Sequence, residues 1–188
     1  MDEDAYAYLL GLYLGDGYVA AHRRGVYKLR ISLDRRYPGI IDECRSAIAA
    51  VLLGARVARQ DRSGAWGQWV EIGAYSKAWP CFFPQHGSGK KHERPIVLVD
   101  WQRRIVNAAP GRLLRGLIHS DGCRFINSGR DGWRHPRYSF SNYSADIRAI
   151  FCHACDILGL RWTAAPNTIY VSRKIDVARM DEFIGPKA

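Results

Sequence analysis

Two short segments of the 188-residue chain are near copies of one another. GLYLGDG, Gly11 to Gly17, returns 105 positions later as GLIHSDG, Gly116 to Gly122. VLLGAR (Val51 to Arg56) and DILGLR (Asp156 to Arg161) share Leu, Gly and Arg at the same offset. Two separate segments with one spacing indicate a tandem duplication, and a duplicated chain folds as two like units that must bury a face against each other. In the first segment Gly11 and Gly15 are four apart and lie on one face of a helix. Gly116 and Ser120 do the same in the second. Small residues at that spacing let two helix backbones approach closely, a steric argument best attested in membranes. The leucines around the rest of the first helix imply burial on several sides. The two helices are therefore expected to touch, related by a pseudo-two-fold axis.

That contact places Asp16 and Asp121 side by side at two helix C-termini. Each terminus carries partial negative charge, so two carboxylates there repel each other and the helix dipoles. A divalent cation between them resolves the conflict, and hard oxygen ligands with open water positions suit Mg²⁺. Gly17 and Gly122 are expected as left-handed caps that turn the chain into a strand.

Each half reads helix, two strands, helix, two strands, helix. YKLRISLD (Tyr27 to Asp34) alternates strictly, with Tyr27, Leu29, Ile31 and Leu33 on one side and Lys28, Arg30 and Ser32 on the other, the pattern of a half-buried strand. Pro38 to Leu53 is a helix with proline in its first turn. Arg56 to Gln60 and Trp69 to Gly73 form a hairpin around Ser63-Gly64, and Ser76 to Phe83 is a short helix. The second half repeats the order: strands at Cys123 to Asn127 and Arg137 to Tyr143, a helix at Ala145 to Leu158, strands at Arg161 to Ala164 and Thr168 to Ser172, and a helix at Asp176 to Ile184. The division is residues 1–83, a basic linker with a lead-in helix at 84–110, and residues 111–188.

Lys and Arg number 28 against 18 Asp and Glu, a net charge of +10. This points to a polyanionic partner, most often nucleic acid. No apolar run approaches the roughly 20 residues of a membrane span, and the acidic N-terminus lacks the basic start of a secretory signal. Five irregularly spaced cysteines suit a reducing, cytoplasmic setting. Of these, CHAC (Cys152 to Cys155) lies in a helical segment and reads as core, since no second pair follows at zinc spacing. The six tryptophans, Trp66, Trp69, Trp79, Trp101, Trp133 and Trp162, read as core and sheet packing, with Trp69 and Trp133 also candidates to touch DNA.

LLGLYLGDG and LRGLIHSDG, with this order of elements, resemble the LAGLIDADG homing endonucleases in their single-chain, two-repeat form. The resemblance covers essentially the whole chain and implies an α+β fold: two αββαββα repeats, each with a saddle-shaped antiparallel sheet in the DNA major groove, packed through the motif helices. It implies a monomeric, nucleoid-associated enzyme that binds double-stranded DNA and cleaves both strands with Mg²⁺, Mn²⁺ or Ca²⁺ substituting in binding. Asp16 and Asp121 become the metal ligands, joined by the carbonyls of Gly15 and Ser120. A basic residue after the third helix of each repeat polarises the site: Lys90 or Lys91 in the first, Lys187 in the second. His119 is expected at the helix interface. The strand faces supply DNA contacts: Arg24, Lys28, Arg30, Ser32 and Arg56 in the first repeat, Arg137, Ser139, Ser141, Arg161, Tyr170, Ser172 and Lys174 in the second. Two other readings share the fold: a DNA-binding regulator that does not cut, and an RNA-splicing maturase.

Overall fold

The computed structural model describes residues 1–64, 67–129, 132–185 and 187. The first repeat runs α1 (Glu3–Asp16), β1 (Gly17–Ala21), β2 (Tyr27–Asp34), α2 (Pro38–Val51), β3 (Ala58–Gly64), β4 (Gly67–Ser76) and α3 (Trp79–Phe82). After α4 (Asp100–Ala108) the second runs α5 (Pro110–Asp121), β5 (Gly122–Ser128), β6 (Arg134–Ser141), α6 (Ala145–Ile157), β7 (Trp162–Ala165), β8 (Thr168–Val171) and α7 (Lys174–Ile184). Each repeat builds one four-stranded antiparallel sheet. The orders β1-β2-β4-β3 and β5-β6-β8-β7 are the same topology twice.

Local chemistry sets the helix starts. The Asp2 carboxylate accepts from the Ala5 amide at 2.9 Å and caps α1; Ser144 caps α6; Pro38 and Pro110 occupy first turns, where no amide hydrogen is needed. In α1 every residue from Ala5 to Leu14 is buried, so it is a core helix with no solvent face. It packs along α5, with α2 against its other side. The inward faces of both sheets (Leu29, Ile31, Val70 and Ile72; Tyr138, Phe140, Ile169 and Val171) close over these helices in one continuous core.

The helix crossing is set by glycine. A Cβ on Gly116 would lie 2.2 Å from the Tyr8 carbonyl oxygen and 3.0 Å from Gly11 Cα. A Cβ on Gly11 would meet the Leu113 carbonyl oxygen at 2.5 Å. These are backbone atoms, so only separation of the helices makes room.

Several sequence expectations are corrected. Gly17 (φ −92°, ψ 152°) and Gly122 (φ −113°, ψ 169°) are extended and not left-handed. They are glycine because of crowding: a Cβ would sit 2.4 Å from Tyr13 Cα in one and 2.7 Å from Ile118 Cα in the other. Ser63 and Gly64 are paired strand residues opposite Gln68 and Gly67, because the hairpin runs further than its apolar pattern shows. Its connection, with Trp66, lies outside the described residues. Arg56 precedes β3 and Arg161 precedes β7. The short helix covers only Trp79–Phe82, Ser76 being paired in β4. Trp79 is fully buried, but Trp133 and Trp162 are exposed, the latter donating from its indole to Asp156 at 2.8 Å. Cys155 is buried and Cys152 half-buried in α6. Among the described residues no helix is long and apolar enough to cross a membrane.

Gly11→Ala and Gly116→Ala each improve intrinsic helix propensity by about 1 kcal/mol, yet overpacking costs about 1–3 kcal/mol. Given backbone contacts this short, both variants are expected to lower the urea midpoint. Unchanged or raised midpoints would show that the crossing is looser than described.

Candidate functional site

The glycine contact brings the last turns of α1 and α5 together. A Cβ on Gly15 would lie 2.2 Å from Ser120 Oγ and 3.1 Å from Asp121 Oδ2, so the Asp121 carboxylate lies against the end of α1, one residue from Asp16. Neither aspartate has a cation within 4.0 Å among the described residues. Asp16 is exposed to water on one side while protein crowds it on the others. That crowding, and then the Asp121 charge, push its carboxyl up to about 7. Burial also raises Asp121, opposed by Asn142, whose side-chain amide donates to Asp121 Oδ2 at 2.7 Å.

Two lysines enter from outside the motifs. Lys91, in a 3₁₀ turn of the linker, donates to the carbonyls of Tyr13 (2.5 Å), Gly15 (2.6 Å) and Gly17 (3.0 Å) and lies over the Tyr13 ring. Burial pushes it down to about 8. Lys187 donates to the Gly122 carbonyl at 2.5 Å, and burial lowers it too. Gly17 and Gly122 are the matching residues of the two motifs, so the lysines neutralise the two helix ends in parallel ways. Lys90 points to solvent and pairs with Glu93 at 3.5 Å.

Two clefts flank the carboxylates. One of about 420 Å³ is lined by Gly15, Tyr18, Lys91, Asp121, Ser141 and Asn142 among others. The second, about 230 Å³, is lined by Asp16, Asp34, Arg36, Tyr37, Ser120 and Lys187 among others. Each joins the aspartate of one repeat to the lysine that follows the other. They differ chemically, since Asn142 orients Asp121 while Arg36 and Tyr37 stand beside Asp16. Asn142 is itself fixed: its side-chain oxygen accepts from the Ser144 amide at 2.8 Å and its own amide donates to the Asn167 carbonyl at 3.0 Å. It has no motif signature, and only the fold carries it to Asp121.

The donor set fits a hard divalent cation. Two carboxylates without cationic partners supply oxygen only, and no group of three His, Cys, Asp or Glu converges among the described residues. Most coordination positions would fall to water and a ligand's oxygens. The Gly15 carbonyl is engaged by Lys91. The Ser120 hydroxyl turns back onto the Gly116 and Leu117 carbonyls.

His119 is buried at the helix interface. Its Nδ1 lies 3.0 Å from the Tyr8 hydroxyl of α1, and its Nε2 is 3.2 Å from the Ile184 carbonyl. Burial, then the nearby Arg115 charge, push it down to about 4. It is therefore neutral at pH 7, donating from Nε2 and accepting at Nδ1. Beside it Arg115 grips the Glu43 carboxylate through Nε (2.8 Å) and Nη2 (2.7 Å) and donates to the Phe183 and Ile184 carbonyls. This network pins the end of α7, three residues before Lys187.

On the first sheet Lys28, Arg30 and Ser32 share the face opposite Leu29, Ile31 and Leu33. Arg24 is exposed in the turn before β2, in a left-handed conformation (φ 59°). On the second sheet Arg137, Ser139, Ser141 and Tyr170 share the corresponding face, with Cys123 Sγ 3.2 Å from Ser139 Oγ. Arg56 and Arg161 are exposed just before the edge strands β3 and β7, Lys174 is exposed at the start of α7, and Ser172 is half-buried.

No protein-family model and no curated protein matches the chain. Solved structures do. Mesophilic variants of the homing endonuclease I-DmoI align with a TM-score of 0.62 at 14% identity, over 98% of this chain and 97% of theirs. The homing endonuclease I-WcaI, bound to its DNA recognition sequence, aligns with 0.63 at 14%, over 100% of this chain and 83% of its own. Full-length DUF199/WhiA from Thermatoga maritima aligns with 0.60 at 14%, over 98% of this chain but 56% of its own. The fold is that of the single-chain, two-repeat LAGLIDADG homing endonucleases.

Asp16 binds its proton more tightly in the folded chain than the ordinary 3.8, so the folded state holds more protons between about pH 4 and 7. Its contribution to stability is full below the unfolded value and is lost as pH rises through about 7. Asp16→Asn removes this loss. Its melting temperature is expected to gain on wild type as pH goes from 5 to 7.5 in EDTA. A constant offset at both pH values would show that the carboxylate is not the strained group.

Proposed function

We propose that the chain is a monomeric, site-specific endonuclease that hydrolyses phosphodiesters in double-stranded DNA with a divalent metal held by Asp16 and Asp121. The carrying observation is the carboxylate pair itself. Two acids with no direct ion pair stand at two helix ends that disfavour negative charge, balanced only at a distance by Lys91 and Lys187, and a cation between them would relieve their repulsion. A protein that only binds DNA gains nothing from them. The fold shared with I-DmoI and I-WcaI supports the reading, as does the net charge of +10.

Bound Mg²⁺ would polarise the phosphate and stabilise both the attacking and the leaving oxygen of an in-line displacement. The chain's residues do the rest. Asp16 and Asp121 would hold the cation, and their carboxylates are the groups to be ionised for activity. Asn142 keeps Asp121 oriented. Lys91 and Lys187, fixed on backbone carbonyls, place one ammonium at the edge of each cleft, beside the negative charge that develops there. Each cleft brings one motif aspartate together with one of these two lysines, Asp121 with Lys91 and Asp16 with Lys187, an arrangement that suits one hydrolysis per strand. The two outward sheet faces then lie along the major groove on either side. Arg24, Arg56 and Arg161 in the segments that lead into strands, and Lys174 at the start of α7, suit phosphates, and Arg137, Ser139, Ser141 and Tyr170 suit base edges.

The test is cleavage of a plasmid library in Mg²⁺. Wild type is expected to linearise plasmids carrying one selected site. Asp16→Asn and Asp121→Asn are each expected to lose about two to three orders of magnitude in rate while still binding that site. Tight, selective binding without cutting in Mg²⁺ or Mn²⁺ would favour the DNA-binding regulator. Selective binding of structured RNA in preference to any duplex would favour the maturase.

A further inference from the structure

One carboxylate stands where a polyanion-binding surface least tolerates it. Glu71 lies in the middle of β4 and points to the outward sheet face, between the inward-facing Val70 and Ile72. It is 7% exposed. Lys28 Nζ is 2.6 Å from Oε1, Arg62 Nη2 is 3.8 Å from the same oxygen, and Arg30 Nη1 is 3.8 Å from Oε2. Two exposed tyrosines complete the cluster: Tyr18 lies under the Arg30 guanidinium (5.2 Å) and Tyr75 beside Lys28 Nζ (5.7 Å). Arg30 Nε has no hydrogen-bond partner among the described residues.

At the matching position the second repeat has Thr168. Gly17 pairs with Ile31 and Gly122 with Phe140, so Ser32 corresponds to Ser141. Ser32 faces Glu71, whereas Ser141 faces Thr168, and there the two hydroxyls lie 2.9 Å apart. Glu71 is thus an addition to the duplicated plan and not a requirement of it.

We propose that Glu71 is a specificity-determining positioning residue: it holds Arg30 and Lys28 toward base edges and withholds them from phosphates. This rests on the reading that the sheet face binds duplex DNA. A carboxylate repels the phosphate backbone and takes one unit of positive charge from the face, so it weakens sequence-independent attraction. What it supplies is direction. Bidentate reading of guanine by arginine needs the guanidinium plane fixed in advance. The Tyr18 ring lies against the Arg30 guanidinium and the Glu71 charge draws it from 3.8 Å, so the two together restrict where it points. Arg24 and Arg161 have no carboxylate within 4.0 Å among the described residues and remain available to phosphates.

The simpler alternative is that Glu71 only neutralises Lys28, whose side chain is 13% exposed. The two differ in what the isosteric Glu71→Gln variant does to binding. The experiment measures equilibrium binding in Ca²⁺, over a NaCl series, to a pool of random 30-base-pair duplexes, to the duplex that wild type selects from it, and to single-base-pair variants of that duplex. Glu71→Gln is expected to bind the random pool more tightly, with a salt slope steeper by about 1–2. It should lose about tenfold of discrimination at one or two adjacent base pairs. Arg24→Ala should make the slope shallower by about 1 with discrimination kept. Unchanged discrimination and slope in Glu71→Gln, with only a lower melting temperature, would make Glu71 a counter-ion and overturn the proposal. If wild type selects a duplex but never cuts it, the nuclease reading falls and this one stands. If wild type selects no duplex, both fall.

Discussion

The fold hangs on the approach of two helix backbones. Gly11 and Gly116 allow α1 and α5 to meet with no side chain between them. The contact is close, because an added Cβ strikes a carbonyl or an amide of the facing helix. From it follow the adjacency of Asp16 and Asp121, the two clefts beside them, and the placement of one sheet on each side. The acids occupy helix ends that repel negative charge, and the structure answers with Lys91 and Lys187 on the motif carbonyls. It does not answer with direct ion pairs, so the carboxylates stay available for a cation.

Those elements whose signal is local were legible in the sequence. Motif helices show themselves by small residues four apart, and β2 by strict alternation. The fold class follows from these and from the repeat. What escaped depends on distant neighbours. Gly17 and Gly122 follow helices as left-handed caps do, but the constraint is the body of the preceding turn. The linker is an example of a hidden tie: buried Gln102 donates from Nε2 to the Tyr6 hydroxyl of α1 at 2.6 Å, and buried Gln85 bonds Gln102 and the Val97 carbonyl. No pattern marks two glutamines as structural, yet they seat the segment that delivers Lys91. The sequence narrowed the linker lysine to Lys90 or Lys91, and only the turn at 91–93 separates them, placing one on carbonyls and the other in solvent. Asn142 and Glu71 are ordinary polar residues until strand register puts them beside Asp121 and Arg30.

The two halves have diverged around a shared plan. His119 and Arg115 belong to a buried polar network on the second motif helix; at the matching positions of the first helix the chain has Leu14 and Leu10. The last hairpin of the second repeat is shorter, four residues per strand against seven and ten. Divergence of this kind leaves the two sheet faces chemically different although their topology is the same.

The glycine contact has a kinetic side. Gly11 and Gly116 stand 105 positions apart, so their meeting closes a long loop, and little of the core around α1 is complete before it does. Long-range closure slows folding. Until α5 arrives, the apolar surface of α1 from Leu9 to Leu14 has only its own repeat to cover it. During synthesis the first repeat emerges well before its partner, and a half-made chain presents that helix to whatever is near, including the same helix on another copy.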